Sequence, residues 1–161
     1  MKYKSKRFFI ENFSAEKLAD KFGTPSYCYS YEKIRENIEI FKKSFKKINP
    51  LICFAVKSNT NKEILKEIER FGLGADVVSM GELMKALKSG IKPTKIVFSG
   101  VGKTSNEINF AIKKKILLIN AESESEILEI EKIAKKQKKR VNIGIRLNPN
   151  TDASVFGLSL I

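Results

Sequence analysis

Val141-Asn142-Ile143-Gly144-Ile145-Arg146-Leu147-Asn148 alternates apolar residues with polar or small ones. Successive side chains of a β-strand point to opposite faces. Val141, Ile143, Ile145 and Leu147 therefore share one face, and Asn142, Gly144, Arg146 and Asn148 the other. A central strand of a doubly wound parallel sheet has helices on both faces and reads apolar throughout. One polar face suits a barrel whose lumen opens onto an active site. The stretch thus points to a βα barrel if the strands before it run parallel.

Four shorter apolar runs precede it: Leu51–Val56, Ala75–Val78, Ile96–Phe98 and Ile116–Ile119. Between the runs, apolar residues recur at helical spacing, as in Ile64, Leu65, Ile68 and Phe71, or Ile127, Ile130, Ile133 and Ala134. Each of the four runs is followed by a Ser or Thr with Glu three residues on: Thr60/Glu63, Ser79/Glu82, Thr104/Glu107 and Ser123/Glu126. In that capping arrangement the hydroxyl accepts from an early helix N–H and the Glu reaches back to the cap N–H. Strands joined by helical crossovers run in the same direction. The expected fold class is α/β: a partial (β/α)8 TIM barrel of about four βα units plus a fifth strand. The strands beginning at Leu51 and Val141 would be its edges. Ahead of it, Thr24–Ser30 reads as β-like. A short helix is expected from the Ser14 cap to Gly23, and a longer one carries Ile34, Ile38, Phe41, Phe45 and Ile48 on one stripe.

Composition narrows the chemistry. The 161 residues suffice for one sizeable core, and 42% of them are apolar, which argues against disorder. The absence of His removes His-based acid–base catalysis, Ser-His-Asp triads and most zinc sites from this chain taken alone. The two cysteines, Cys28 and Cys53, lie in apolar runs and fit a reducing compartment better than a disulfide scaffold. Nothing approaches the ~20 apolar residues of a membrane span. The basic start is followed only by Phe8-Phe9-Ile10 before Glu11, too short for a secretory signal. A cytoplasmic protein without a membrane partner is expected. The net charge of +13 comes mostly from Lys scattered over helical segments, with Arg only at 7, 35, 70, 140 and 146. That pattern describes a solvated surface rather than a nucleic-acid face.

Polar residues at strand C-termini converge on the rim where barrel enzymes do chemistry. Here those are Lys57, Asp76, Ser99, Asn120 and Arg146. An amine at Lys57 could attack a carbonyl if deprotonated, or simply begin the loop in water. Asp76 interrupts an apolar strand; it either faces solvent or needs a partner such as Lys57, Arg146 or a cationic cofactor. Arg146 lies on the polar face, as a ligand or in an ion pair across the lumen. Ser99 and Asn120 could equally satisfy loop backbone. Ser99-Gly100-Val101-Gly102-Lys103-Thr104 resembles a phosphate loop, but Val97 stands where that motif needs its first Gly. No Gly-x-Gly-x-x-Gly lies between a strand and a helix, which leaves a dinucleotide fold without support.

Phe54-Ala55-Val56-Lys57-Ser58-Asn59, Gly72-Leu73-Gly74-Ala75-Asp76-Val77-Val78-Ser79, Gly81-Glu82-Leu83, Asn120-Ala121-Glu122-Ser123 and Arg146-Leu147-Asn148-Pro149 closely resemble the diaminopimelate decarboxylases. These belong to the alanine-racemase-like, barrel-type pyridoxal-phosphate enzymes. Phe22-Gly23-Thr24-Pro25 and Tyr27-Cys28-Tyr29-Ser30 look like the start of the same family. The resemblance implies that Lys57 bonds covalently to pyridoxal 5′-phosphate, with Asp76 and Arg146 near the cofactor and Arg146 on the ring-hydroxyl side. It implies decarboxylation of meso-diaminopimelate to L-lysine, a small-molecule amino-acid substrate, and a homodimer in the full-length form. It also implies that residues 1–30 join a second, β domain and that 31–161 are the N-terminal half of the barrel. Ala153 runs through Ser154-Val155 into Phe156-Gly157-Leu158 where the family has a longer loop. That reads as a deletion, followed by a truncation that leaves a fragment inactive alone. The alternatives are a non-enzymatic basic binding module on a relic βα scaffold, or another barrel-type pyridoxal-phosphate enzyme such as an ornithine or arginine decarboxylase or an alanine racemase.

Overall fold

The computed structural model describes residues 2–4 and 6–147, which excludes the expected deletion after Ala153 and the Asn148-Pro149 pair. The chain divides into two compact units, one up to Ile52 and one from Cys53 onward.

The first unit contains three antiparallel strands that the sequence reading did not identify: β1 (Lys2–Lys4), β2 (Arg7–Ile10) and β3 (Phe13–Ser14), in the order β1-β2-β3. The helix α1 (Ala15–Phe22) runs as expected from Ser14, whose hydroxyl accepts from the Lys17 N–H, to Gly23 at φ 80°, a conformation that glycine adopts without strain. Thr24–Ser30 is not a strand. Pro25 offers no N–H, and Ser30 serves instead as the cap of α2 (Tyr31–Ser44), accepting from the Lys33 N–H and donating to Glu11. Ile38 is buried on α2, whereas Phe41 and Phe45 remain partly exposed, and the helix stops short of Ile48.

The second unit holds five parallel strands: β4 (Cys53–Ala55), β5 (Gly74–Val77), β6 (Ile96–Phe98), β7 (Leu118–Ala121) and β8 (Ile143–Ile145). They lie side by side in chain order, so β4 and β8 are the edges, as expected. Between them run α3 (Lys62–Arg70), α4 (Met80–Lys88), α5 (Ser105–Lys114) and α6 (Glu124–Gln137). Right-handed crossovers between successive neighbours put every helix on the same face, as in a barrel; a doubly wound sheet reverses its order at a switch point. β6 keeps its expected span, β5 shifts by one residue, β8 keeps only Ile143–Ile145 of Val141–Leu147, and β7 and β4 change for visible reasons. Ile116 and Leu117 do not begin β7 because they are spent leaving α5. The Ile116 N–H bonds to the Ala111 carbonyl and that of Leu117 to the Pro93 and Ile96 carbonyls. At β4, the three residues Val56–Ser58 coil into a 3₁₀ turn that lifts Lys57 off the strand.

Register sorts the strand side chains into two sets. Val56, Ala75, Val77, Ile96, Phe98, Ile119 and Ala121 face the helices and are essentially inaccessible to solvent. Leu65 and Ile68 of α3, Leu83 of α4 and Ile108 and Ala111 of α5 are buried as well. Each large side chain among them contributes about 1.5–3 kcal/mol by leaving water. The other set is Cys53, Ala55, Asp76, Val97, Ser99, Leu118, Asn120 and Gly144, and this face is only half-buried.

Three of the four expected caps are present. Thr104 and Glu107 form the full reciprocal box. Ser79 and Ser123 each accept from the N–H of the Glu three residues on, but Glu82 and Glu126 reach one residue past the cap, to the N–H of Val78 and of Glu122. The fourth is corrected: Asn61, not Thr60, caps α3 by accepting from the Glu63 N–H. The Thr60 hydroxyl instead accepts from Lys85 of α4.

Candidate active site on the open face of the sheet

The half-buried face and its rim hold the residues singled out in the sequence. Ala55 and Asp76 are paired residues of β4 and β5, so Asp76 sits one strand from the segment that ends in Lys57. Lys57, in the turn directly after β4, is exposed and has no hydrogen bond or ion pair to another described residue. Its amine is therefore accessible to a ligand. Asp76 accepts from the Ser99 hydroxyl at 2.7 Å, and Ser99 in turn accepts from the Asn120 side-chain amide at 3.0 Å. An amide nitrogen can only donate, so the Ser99 proton points to Asp76 and the row runs in one direction across β7, β6 and β5. The partner that Asp76 needed is thus a hydroxyl rather than Lys57 or Arg146. The Cys53 thiol on the same face is pushed up from its ordinary value, first by burial and then by the charge of Asp76.

Gly144 of β8 is opposite Asn120. A Cβ there would collide with the Asn120 amide oxygen, so only glycine lets Asn120 lie flat enough to reach Ser99. Arg146, just past β8, pairs with Glu122 at 3.4 Å, and its N–H bonds to the Ala121 carbonyl. The ion pair weighed at the sequence level exists, but with Glu122 instead of Asp76. The Glu122 side chain is only 8% exposed and also accepts from the Gly100 N–H at 3.0 Å.

Beneath this rim lies a pair that sequence reasoning passed over. The Lys103 side chain is 1% exposed and meets the buried Glu126 at 3.1 Å. Its ammonium also donates to the Gly100 and Asn120 carbonyls, both at 2.7 Å, and lies 5.9 Å from the Phe98 ring centroid. A lysine turned inward cannot hold a nucleotide phosphate, in line with the rejected phosphate loop. The glycine inside β8 and the lone lysine between two glycines and a cap were the available signals. A cavity of about 390 Å³, lined by Thr94, Ile112, Leu117 and Asn142 among others, lies at the opposite end of the strands and includes none of these site residues.

The donor set fits a pyridoxal group: an exposed primary amine that can condense with an aldehyde, and one strand away a carboxylate fixed by a hydroxyl. Among the described residues no helix is long and apolar enough to cross a membrane.

Comparison with known proteins agrees. Diaminopimelate decarboxylase from Aquifex aeolicus is 44% identical over 152 residues, 94% of this chain and 36% of that protein. The enzyme of the same name from Helicobacter pylori strain J99 is 48% identical over 141 residues, 88% of this chain and 35% of that protein. The structure of diaminopimelate decarboxylase from M. jannaschii in co-complex with L-lysine superposes with a TM-score of 0.91 at 37% identity, over 97% of this chain and 37% of that one. The chain thus spans about a third of the length of the curated relatives it matches. The expected fold class, a partial (β/α)8 barrel, holds. The family described as pyridoxal-dependent decarboxylase, pyridoxal binding domain, matches residues 31–159, and the chain belongs to that family.

Proposed function

We propose that this chain supplies the lysine-bearing part of a diaminopimelate decarboxylase, which converts meso-diaminopimelate to L-lysine with pyridoxal 5′-phosphate. The observation that carries the reading is the accessible Lys57 amine at the end of β4, one strand from the Asp76–Ser99–Asn120 row. When bound, the cofactor's ring supplies an electron sink for the pair left behind as the carboxylate departs. Lys57 holds the cofactor at its aldehyde carbon. Asp76, oriented by Ser99, offers negative charge to a cationic group on the lumen face. Arg146 keeps a guanidinium at the rim by leaning on Glu122, on the side assigned to the cofactor's hydroxyl. The substrate is a small amino acid; a homodimer and a cytoplasmic setting complete the proposal, with Cys28 and Cys53 both free thiols.

Five strands with open edges do not enclose the site, so water reaches it from the side. The 161 residues alone are therefore expected to show no turnover. The test is borohydride reduction of the complete enzyme loaded with stoichiometric pyridoxal phosphate, followed by peptide mapping. Lys57 is expected to carry the label, and Lys57→Ala to lose both the label and CO₂ release from meso-diaminopimelate. Label spread evenly over surface lysines, or salt-sensitive nucleic-acid binding without cofactor uptake, would overturn the reading.

A further inference from the structure

The Lys103 side chain does nothing in the chemistry proposed above, yet it is only 1% exposed. It ties its own β6–α5 loop to the following βα unit: it donates to the Gly100 carbonyl after β6 and the Asn120 carbonyl within β7, and it meets Glu126 in the first turn of α6. One of these contacts matters for the open face, because Asn120 is the first donor of the row that ends on Asp76. Lys103 holds the main chain of Asn120 from one side, and Gly144 clears its side chain on the other. We propose that Lys103 is a positioning residue: by pinning the Asn120 carbonyl it aligns Asn120, Ser99 and Asp76 across the lumen face. This rests on the pyridoxal reading for its consequence, cofactor affinity, but not for its geometry.

A purely structural ion pair makes a different prediction. Removing one partner of a buried pair leaves an uncompensated charge and destabilises the fold, whereas neutralising both often restores stability. Lys103→Met alone therefore cannot separate the two roles, and Lys103→Met with Glu126→Gln can. The glutamine keeps an acceptor for the Glu122 N–H that Glu126 now receives. In the holoenzyme the double variant is expected to melt near the unaltered protein and still to bind pyridoxal phosphate about tenfold more weakly, the size of an ordinary coupling between neighbouring groups. Ser99→Ala cuts the row further along. Added to the double variant, it is expected to weaken binding by less than about twofold more, because both changes disable one row.

Recovery of full cofactor affinity in the double variant overturns the proposal, as do losses that multiply independently. If the unaltered protein takes up no cofactor, the functional reading fails, and a crystal structure of the double variant then decides the positioning role. Loss of the Ser99–Asp76 hydrogen bond upholds it, and retention overturns it.

Discussion

The two faces of the five-stranded sheet come from the same short strands and differ in nearly everything else. The helix-covered face is filled by Val77, Ile96, Phe98 and Ile119 with no accessible surface. The open face holds Asp76, Ser99, Asn120 and Gly144, all half-buried, the first three joined by hydrogen bonds. Burial on one face supplies the stability that lets the other keep polar groups in an arrangement too sparse to hold itself together. A period of two residues along each strand is enough to keep the tasks apart.

The comparison breaks most visibly at adjacent positions of β6. Phe98→Ala is expected to cost about 3–5 kcal/mol, because the cavity forms among packed side chains. Val97→Ala, one residue away on the open face, should cost about 1 kcal/mol. Urea denaturation of the two variants reads the contrast directly, and equal costs would show that the open face is packed like the covered one.

Gly144→Ala probes the open face sterically. Its Cβ meets the Asn120 amide oxygen, a movable group, so a loss of about 1–3 kcal/mol is expected, within the range for overpacking. Because Asn120 must swing away, cofactor affinity should fall with it. Unchanged affinity at reduced stability would separate Asn120 from the site.

Smaller effects are expected where the strands turn into helices. Asn61→Ala removes the α3 cap and should cost about 1 kcal/mol, and Thr60→Ala less than about 0.5 kcal/mol. The reverse order in thermal melts would return the cap to Thr60. Glu107 is held below its ordinary value of 4.5, first by the Thr104 N–H and then by the Met80 N–H. A depressed carboxylate stabilises the fold fully above its unfolded-state value and loses that contribution as pH falls through the folded one. Stability should therefore drop below about pH 4.5, and Glu107→Gln should flatten that acid limb in urea titrations.

Much of this was legible in the residues. The alternation at Val141–Asn148 and three of the caps identified a parallel βα array, and the ends of its strands located Lys57, Asp76, Ser99 and Asn120. Short-range signals were weakest where local and tertiary demands competed. Thr24–Ser30 has strand-like composition, but Ser30 is required to cap α2, and Thr60 has the right spacing while Asn61 has the better position.

Periodicity and capping are properties of neighbours in the chain, and they alone determined the βα order and the polar face. Which polar groups meet across that face was decided only when β5, β6, β7 and β8 lay side by side. Asp76 found Ser99, Arg146 found Glu122, and Lys103 turned inward to Glu126 because strand register, not sequence distance, sets contacts between residues 20 or more positions apart.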